Sequence, residues 1–228
     1  MAINIIDRCE QKYFITNEQY NYLIKKIGKK LEKDKYFKER IYNVYFDNDN
    51  MDLINRSMDK PMYKEKIRLR SYLVPKNDEI VFLEIKKKYK DTSNKRRIEI
   101  SYNDALNYIY KGIIPINSQI MNEIDYCFKK YNLKPVINIT YDRLAYYLKE
   151  DENVRLTFDN NVKYDMNDKL LNDIRSDDKL FNEGYIMEIK TFNGLPRWLI
   201  DALDELNIYP TSYSKIGKIY SKLGGVYV

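Results

Sequence analysis

The sequence predicts an α+β fold in which helices pack around a large antiparallel β-sheet or β-barrel. Most of its apolar segments alternate with polar residues at every second position, which is the spacing of strands with one apolar face. Turn sequences such as PKND separate consecutive strand segments, as in antiparallel hairpins. The seven Gly and six Pro are spread thinly and mark no linker, so we expect one continuous domain over residues 1–228.

The N-terminal half is predicted to contain five strands and one helix. The helix begins at Thr16, because Gln19 completes a capping box with this residue. Period-two alternation places the strands at 8–15, 40–47, 63–73, 79–89 and 95–101.

The C-terminal half is predicted to contain both helices and strands. Helical spacing of apolar residues predicts helices at about 103–111, 117–131 and 196–207, with a short last helix beginning near Ser214. Strands are predicted at 134–148, 154–162 and 185–192.

The composition excludes several classes of chemistry. The sequence contains no His, which excludes Ser-His and Cys-His nucleophilic mechanisms and His metal sites. Cys9 and Cys127 are too few for a disulfide framework. The N-terminus lacks the long apolar stretch of a signal peptide, and no apolar run approaches the length of a transmembrane helix. We therefore expect a cytoplasmic protein.

Charged residues share one face of many predicted strands, and most of them are cations. The third strand shows this most clearly, with Lys64, Lys66, Arg68 and Arg70 at alternate positions. The same spacing groups Arg8, Glu10 and Lys12; Glu84, Lys86 and Lys88; Lys95 and Arg97; Tyr141 and Arg143; Arg155, Thr157 and Asp159; and Glu188 and Lys190.

A solvated outer face is the usual meaning of alternating charge in a single strand. Here the excess of cations over many strands, with a glutamate in three of them, instead favours an ionic interior that surrounds anions. Arg and Lys bind phosphate oxygens, and a few carboxylates suit a hard divalent metal ion.

The chain resembles the catalytic domain of VTC-type polyphosphate polymerases, within the triphosphate tunnel metalloenzyme superfamily. The resemblance rests on an ordered set of segments between positions 8 and 215: RCEQKY, KEKIRLRSY, VFLEIKKKY, KRR, YDRLAY, VRLTFD, MEIK and YPTSYSK. It implies an antiparallel barrel forming a triphosphate tunnel, with a cationic interior and helices outside. It also implies Mn²⁺ or Mg²⁺ as cofactor, and transfer of the ATP γ-phosphate onto a growing polyphosphate chain.

The same resemblance, together with the shared strand faces, assigns the candidate site residues. The expected catalytic cations are Lys12, Arg68, Arg70, Lys86, Arg143 and Arg155. The expected phosphate-binding residues are Lys66, Lys95, Arg97, Tyr141, Ser214 and Lys215, the last two at a helix N-terminus that itself attracts anions. The expected metal ligands are Glu188 and Glu10.

One departure from the superfamily pattern bears on the reaction. The superfamily opens with E-x-E-x-K, whereas this chain has Arg8, Glu10 and Lys12, so a cation replaces one metal-binding carboxylate. A hydrolase needs an activated water, commonly held by a second metal ion. The terminal phosphate of a polyphosphate chain is already anionic and needs no general base. The departure therefore favours a polymerase.

Two alternatives remain open from the sequence: a tunnel triphosphatase that hydrolyses inorganic or nucleoside triphosphate, and a non-catalytic polyphosphate-binding module. Nucleic acid is not an expected partner, because Glu10, Glu84 and Glu188 on the cationic face would repel its backbone. The expected partners are ATP and inorganic polyphosphate. Any membrane channel for the product would be a separate protein.

Overall fold

The computed structural model describes residues 9–59, 61–90, 92–166, 170–171 and 178–224. The strands in these ranges are β1 Cys9–Ile15, β2 Leu31–Asp47, β3 Tyr63–Ser71, β4 Ile80–Tyr89, β5 Thr92–Ser101, β6 Lys134–Leu148, β7 Asp151–Asp165 and β8 Tyr185–Thr191. The helices are α1 Asn17–Ile27, α2 Asp52–Met58, α3 Tyr102–Lys111, α4 Gln119–Tyr131, α5 Arg197–Glu205 and α6 Lys215–Lys222. Arg8, placed by the sequence in the first strand, lies outside the described residues.

The strands hydrogen-bond in the order β1-β8-β7-β6-β2-β3-β4-β5. The β1–β8, β7–β8, β2–β3, β3–β4 and β4–β5 ladders are antiparallel. This confirms the predicted α+β fold around an antiparallel sheet. The order is open, with β1 at one end and β5 at the other.

The chain divides into two compact units whose segments alternate along the sequence. Unit 1 contains the described residues within Met1–Arg40, Tyr141–Val162 and Phe181–Ser214; unit 2 contains those within Ile41–Thr140, Lys163–Leu180 and Lys215–Val228. The single domain over 1–228 stays a prediction.

Unit 1 has its apolar core between strands and the helices α1 and α5. The capping box at Thr16 is present: Gln19 N donates to Thr16 Oγ1 at 3.1 Å, and Thr16 N donates to Gln19 Oε1 at 3.0 Å. The apolar stripe that follows buries Leu23 and Ile27. These side chains pack with core residues from the strands and α5, including Tyr13, Leu156, Phe158, Met187, Ile189, Leu199 and Leu203.

Unit 2 has its core on the apolar side of β3, β4 and β5, under α3 and α4. Strand residues Ile67, Leu69, Leu83 and Ile85 are at most 1% exposed. They pack in one cluster with residues that include Ala105 and Tyr108 of α3 and Met121, Ile124 and Cys127 of α4. The helices of each unit therefore cover an apolar strand face, as the sequence predicts.

Glu65 is a buried carboxylate on this otherwise apolar side of β3. It is 4% exposed and accepts hydrogen bonds from the hydroxyls of Tyr63 at 3.0 Å and Tyr131 at 2.5 Å. The Cys127 thiol lies 3.5 Å from it. These contacts satisfy the buried carboxylate and connect β3 to α4.

Two elements differ most from the sequence-based expectation. Strand β2 begins at Leu31 rather than at residue 40, because its first half carries charged residues on both faces and so lacks period-two alternation. Helix α2 was not predicted, because its N-cap residue, Met51, makes no side-chain capping bond. Asp47, at the end of β2, instead accepts from the backbone N–H groups of Leu53 at 3.0 Å and Ile54 at 2.8 Å. No helix in the described ranges has the length and apolar character needed to cross a bilayer.

Truncating Leu69 tests the packing of the unit 2 core. Leu69 is fully buried, so Leu69→Ala is expected to lower the free energy of unfolding by about 2–5 kcal/mol through lost contacts and a residual cavity. Urea denaturation followed by circular dichroism measures this change. The matched control is Leu73→Ala, whose side chain is 44% exposed and should cost far less. Equal losses in the two variants would contradict the strand parity described above.

Candidate functional site

The predicted site residues are divided between the two units. Unit 1 contains Glu10, Lys12, Tyr141, Arg143, Arg155, Glu188 and Ser214; unit 2 contains Lys66, Arg68, Arg70, Lys86, Lys95, Arg97 and Lys215. In each unit several of these residues gather around one carboxylate, Glu84 in unit 2 and Glu188 in unit 1.

The first group, here named the Glu84 cluster, comprises Tyr45, Arg68, Arg70, Glu84 and Lys95 in unit 2. Arg68 of β3 lies opposite Glu84 of β4 in the antiparallel register. Both Nε and Nη2 of Arg68 lie 2.6 Å from Glu84 Oε2, and Lys95 Nζ lies 2.6 Å from Glu84 Oε1. One carboxylate on β4 therefore fixes cations from both neighbouring strands.

Electrostatic coupling within the Glu84 cluster shifts the pKa values of its members. Burial disfavours the ionised form of Glu84, which is 1% exposed, but the charges of Arg68, Arg70 and Lys95 outweigh it and lower the pKa of Glu84 to about 2. Burial and the nearby Arg68 lower the pKa of Lys95 to about 8, although Glu84 acts in the opposite direction. The cluster thus keeps its carboxylate ionised and holds one ammonium near its titration point.

Tyr45 and Asn43 are contacts that the sequence analysis missed. The Tyr45 hydroxyl accepts from Arg68 Nη1 at 3.2 Å, and Arg70 Nε donates to Asn43 Oδ1 at 3.0 Å. Although burial opposes ionisation of the phenol, the charges of Arg68, Lys66 and Arg70 lower the pKa of Tyr45 to about 8. Both residues lie on β2. Its segment RIYNVYFD has no alternating charges from which a functional face could be predicted.

Three predicted lysines form a row across β3, β4 and β5. Lys66 lies opposite Lys86, and Lys86 lies opposite Lys95, in successive antiparallel ladders. Like charges placed directly opposite one another destabilise a sheet unless an anion lies among them. Arg97 lies at the edge of this face, where its guanidinium stacks 4.5 Å from the Phe82 ring centroid.

The second group, here named the Glu188 cluster, comprises Glu10, Lys12, Arg143, Glu188 and Lys190 in unit 1. Lys12 lies opposite Glu188, and Glu10 lies opposite Lys190, in the β1–β8 ladder. Lys12 Nζ is 3.2 Å from Glu10 Oε1 and 3.7 Å from Glu188 Oε2, while Lys190 pairs with Glu188 Oε1. Acids and cations therefore alternate on this face in both directions.

Glu188 is held ionised by its neighbours. Its burial disfavours the charge, but Lys190, Lys12 and Arg143 outweigh this and place the pKa of Glu188 far below its usual value. A carboxylate with such a low pKa is a poor proton acceptor at neutral pH. Glu188 is therefore suited to holding a cation rather than to acting as a general base.

Arg143 is bound at its Nε–Nη2 edge by Asp159. Nε donates to Asp159 Oδ1 at 2.6 Å, and Nη2 donates to Asp159 Oδ2 at 2.8 Å. The guanidinium carbon lies 5.4 Å from the Tyr141 ring centroid. Asp159 itself is 1% exposed. The sequence analysis placed Asp159 on the ionic face but assigned it no role.

The remaining predicted residues of unit 1 are Arg155, on β7, and Ser214, in the segment that follows α5. Arg155 lies opposite Lys190 in the β7–β8 ladder, and its Nη2 is 3.0 Å from Asp34 Oδ2. The YPTSYSK segment is held beside β1, because Thr211 N donates to Lys12 O at 2.7 Å. Ser214 directly precedes helix α6, which begins at Lys215, as predicted.

Glu10 and Glu188 provide a partial ligand set for a divalent metal ion. Lys12 lies between their carboxylates, so the two acids converge on one position. The Thr157 hydroxyl, opposite Glu188 in register, is buried and has no hydrogen-bond partner in the described part of the chain. No group of three or more Asp, Glu, Cys or His side chains within the described ranges is arranged for a metal. Mg²⁺ commonly binds one or two carboxylates plus substrate phosphates, and the residues present fit this mode.

The pKa of Lys95 leads to a pH prediction for anion binding. As pH rises through about 8, Lys95 loses its positive charge and Tyr45 gains a negative one, so the affinity for inorganic tripolyphosphate should fall by at least about tenfold. Isothermal titration calorimetry between pH 7 and 9 measures this. Lys95→Arg stays charged throughout and controls for titration of the ligand itself. Identical pH profiles for the two proteins would contradict the assignment of Lys95.

Several solved structures are similar to this chain at low sequence identity. A Bacillus halodurans protein solved as a candidate adenylate cyclase has a TM-score of 0.56 and 15% identity, over 90% of this chain and 92% of that one. The PH1819 protein of Pyrococcus horikoshii OT3 has a TM-score of 0.48 and 16% identity, over 94% and 99%. The Mimivirus capping enzyme triphosphatase has a TM-score of 0.35 and 11% identity, over 87% and 88%.

The family comparison bears directly on the resemblance drawn from the motifs. The model of the VTC domain matches residues 7–223, which include both clusters and almost the whole chain. The chain therefore belongs to the VTC domain family.

Proposed function

We propose that the protein is a polyphosphate polymerase that transfers the γ-phosphate of ATP to a growing inorganic polyphosphate chain. One observation carries the proposal: in both clusters, preorganised cations surround carboxylates that are held ionised. Glu84 has a pKa of about 2, and the pKa of Glu188 is far below its usual value. Such groups can orient cations but cannot readily accept a proton from water at neutral pH.

The proposed reaction requires no proton acceptor. The attacking atom is a terminal oxygen of the polyphosphate chain, which is ionised at neutral pH. It forms a bond to the γ-phosphorus of ATP while the bond between that phosphorus and the β–γ bridging oxygen breaks. ADP leaves with the released electron pair, and the chain is one phosphate longer. The absence of His from the sequence is compatible with this chemistry.

The contribution of the protein is to position the phosphates and neutralise their charge. Arg68 and Arg143 are held rigidly at one edge by Glu84 and Asp159, so their guanidinium groups need no reorganisation when charge shifts between phosphates. Lys66, Lys86 and Lys95 supply a row of ammonium groups that an extended polyanion can neutralise.

Mn²⁺ or Mg²⁺ is the proposed cofactor. Glu10 and Glu188 would hold it, and the ion would supply further neutralisation of phosphate oxygens when bound. Lys12 lies between these carboxylates, with its Nζ 3.2 Å from Glu10 Oε1 and 3.7 Å from Glu188 Oε2. ATP and inorganic polyphosphate are the proposed partners, and export of the polymer would need a separate membrane protein.

Product analysis tests the proposal. Purified protein is incubated with ATP and Mn²⁺, the products are separated on a gel stained for polyphosphate, and ADP and orthophosphate are quantified. Long polymer with an equivalent amount of ADP is the expected result. Free orthophosphate without polymer would identify a triphosphatase, and the lack of any turnover with retained polyphosphate binding would identify a binding module.

Ligand-induced stabilisation is expected whichever of these reactions occurs. The Glu84 cluster gathers three cations around one carboxylate, and an anion that binds only the folded protein stabilises it by mass action. Tripolyphosphate at a hundred times its Kd is expected to raise the Tm by about 5–11 °C, corresponding to about 2.7 kcal/mol. Differential scanning fluorimetry measures this, with sodium sulfate at matched ionic strength as control. An unchanged Tm would contradict anion binding by the folded chain.

A further inference from the structure

Two arginines, one in each unit, are held at the same Nε–Nη2 edge by buried carboxylates, Arg68 through one oxygen of Glu84 and Arg143 through both oxygens of Asp159. Arg68 donates through Nε and Nη2 to Glu84, and Arg143 donates through Nε and Nη2 to Asp159. In both pairs the acid follows the arginine by 16 positions. Each carboxylate is 1% exposed, whereas the arginine side chains are 22% and 17% exposed.

The geometry fixes which edge of each guanidinium can meet a ligand. Because the carboxylate occupies the Nε–Nη2 edge, a phosphate oxygen must approach the N–H groups on the other edges. An aromatic ring completes the orientation: the Tyr45 hydroxyl lies 3.2 Å from Arg68 Nη1, and the Tyr141 ring lies 5.4 Å from the Arg143 guanidinium carbon.

A carboxylate beside an anion-binding arginine has two opposed effects. Its negative charge repels phosphate and so lowers the affinity. Its hydrogen bonds hold the guanidinium in one orientation and so reduce the entropy lost on binding. The two effects predict opposite changes in anion affinity when the carboxylate charge is removed. Removing a carboxylate that only neutralises the arginine should tighten anion binding, and removing one that positions it should weaken binding.

We propose that Glu84 and Asp159 are positioning residues, which orient Arg68 and Arg143 toward phosphate and without which these arginines bind it poorly. The role in phosphoryl transfer rests on the proposed function, but the orientation itself is a property of anion binding. In Glu84→Gln one of the two oxygens becomes an amide NH₂, so either Arg68 or Lys95 faces a donor instead of an acceptor. In Asp159→Asn one of the two parallel bonds from Arg143 is lost.

The test is calorimetric binding of inorganic tripolyphosphate to the purified full chain, without metal. Glu84→Gln and Asp159→Asn are each expected to weaken binding about tenfold. The matched controls are Glu205→Gln and Asp201→Asn, which make the same changes in exposed ion pairs with Lys26 and Arg197 and should leave affinity unchanged. Tighter binding by Glu84→Gln and Asp159→Asn would show that the carboxylates only neutralise charge, and would overturn the proposal.

A double-mutant cycle separates positioning from a general structural effect. If Glu84 acts through Arg68, Glu84→Gln should cause a smaller loss of affinity once Arg68→Ala is present, because only the contact with Lys95 is left to disturb. An equal loss in both backgrounds would overturn the proposal. Glu84→Asp is the second variant if Glu84→Gln folds poorly, because it keeps the charge but shortens the side chain. A positioning role predicts weaker binding of tripolyphosphate by Glu84→Asp, whereas a purely electrostatic role predicts unchanged affinity.

The outcome is distinguishable from failure of the proposed function. A wild-type protein that binds tripolyphosphate but makes no polymer would refute the polymerase and leave the positioning roles intact. Polymer synthesis together with an additive cycle would refute the positioning roles and leave the polymerase intact. A wild-type protein that does not bind tripolyphosphate would overturn both.

Discussion

Arg70→Ala is expected to lower kcat/KM for polymer synthesis roughly 30- to 1000-fold, the equivalent of about 2–4 kcal/mol of transition-state stabilisation. Arg70 is 7% exposed and is held by the hydrogen bond from its Nε to Asn43 Oδ1. Asn43 is in turn fixed by donating to the Ile139 carbonyl at 3.3 Å. A charge fixed before the substrate arrives costs little reorganisation when the phosphate moves, and removing it should affect the rate strongly.

The same substitution should have a smaller effect on stability than on chemistry. Loss of Arg70 removes buried packing and an attraction to Glu84, but it also removes repulsion from Lys95 within the Glu84 cluster. We therefore expect a smaller decrease in the free energy of unfolding than for Leu69→Ala, in which nothing offsets the cavity.

Two further variants make the Arg70 result specific. Arg70→Lys keeps the charge but loses the planar fork, so its rate should fall between those of the wild type and Arg70→Ala. Leu69→Ala, assayed on the fraction that remains folded, should retain its kinetics. Full activity in Arg70→Ala, with loss of activity in folded Leu69→Ala, would show that the reactive face of β3 is the opposite one.

Period-two alternation was sufficient to place most of the ionic residues on the correct face. In β3 the exposed fraction alternates as predicted, with Lys64, Lys66 and Arg68 half-buried and Ile67 and Leu69 fully buried. The alternation of polar and apolar residues shows directly which face of a strand is buried, because a shift of one residue would bury the cations and expose the core.

Contact partners could not be obtained in this way, because they depend on register and on residues distant in sequence. Parity places Glu84 on the face of Arg68 but does not show that the two are directly opposite, as the β3–β4 ladder has them. Tyr45 and Asn43 come from β2, and their role depends on β3 lying beside it. Asp34, the partner of Arg155, lies in the first half of β2. That half was not predicted as a strand, because it carries charged residues on both faces.

Glu188→Gln is expected to abolish metal-dependent turnover while leaving the protein folded. The carboxylate converges with Glu10 on the position of Lys12, and its pKa is far below its usual value because Lys190, Lys12 and Arg143 overcome the effect of burial. Gln keeps the shape of the side chain but loses the charge that a divalent cation requires. Polymer synthesis measured over a range of Mn²⁺ concentrations should therefore show little recovery even at high metal.

The stability of Glu188→Gln provides an independent check with a defined sign. Since the pKa of Glu188 is depressed in the folded protein, its contribution to stability is present above the unfolded-state pKa and is lost as pH falls through the folded-state value. The difference in Tm between wild type and Glu188→Gln should therefore be largest near neutral pH and shrink on acidification. Glu205→Gln, in an exposed ion pair with Lys26, serves as the control with little effect on either measurement. Near-normal activity of Glu188→Gln at low Mn²⁺ would remove Glu188 from the metal-binding role, even if its ion pairs prove to stabilise the fold.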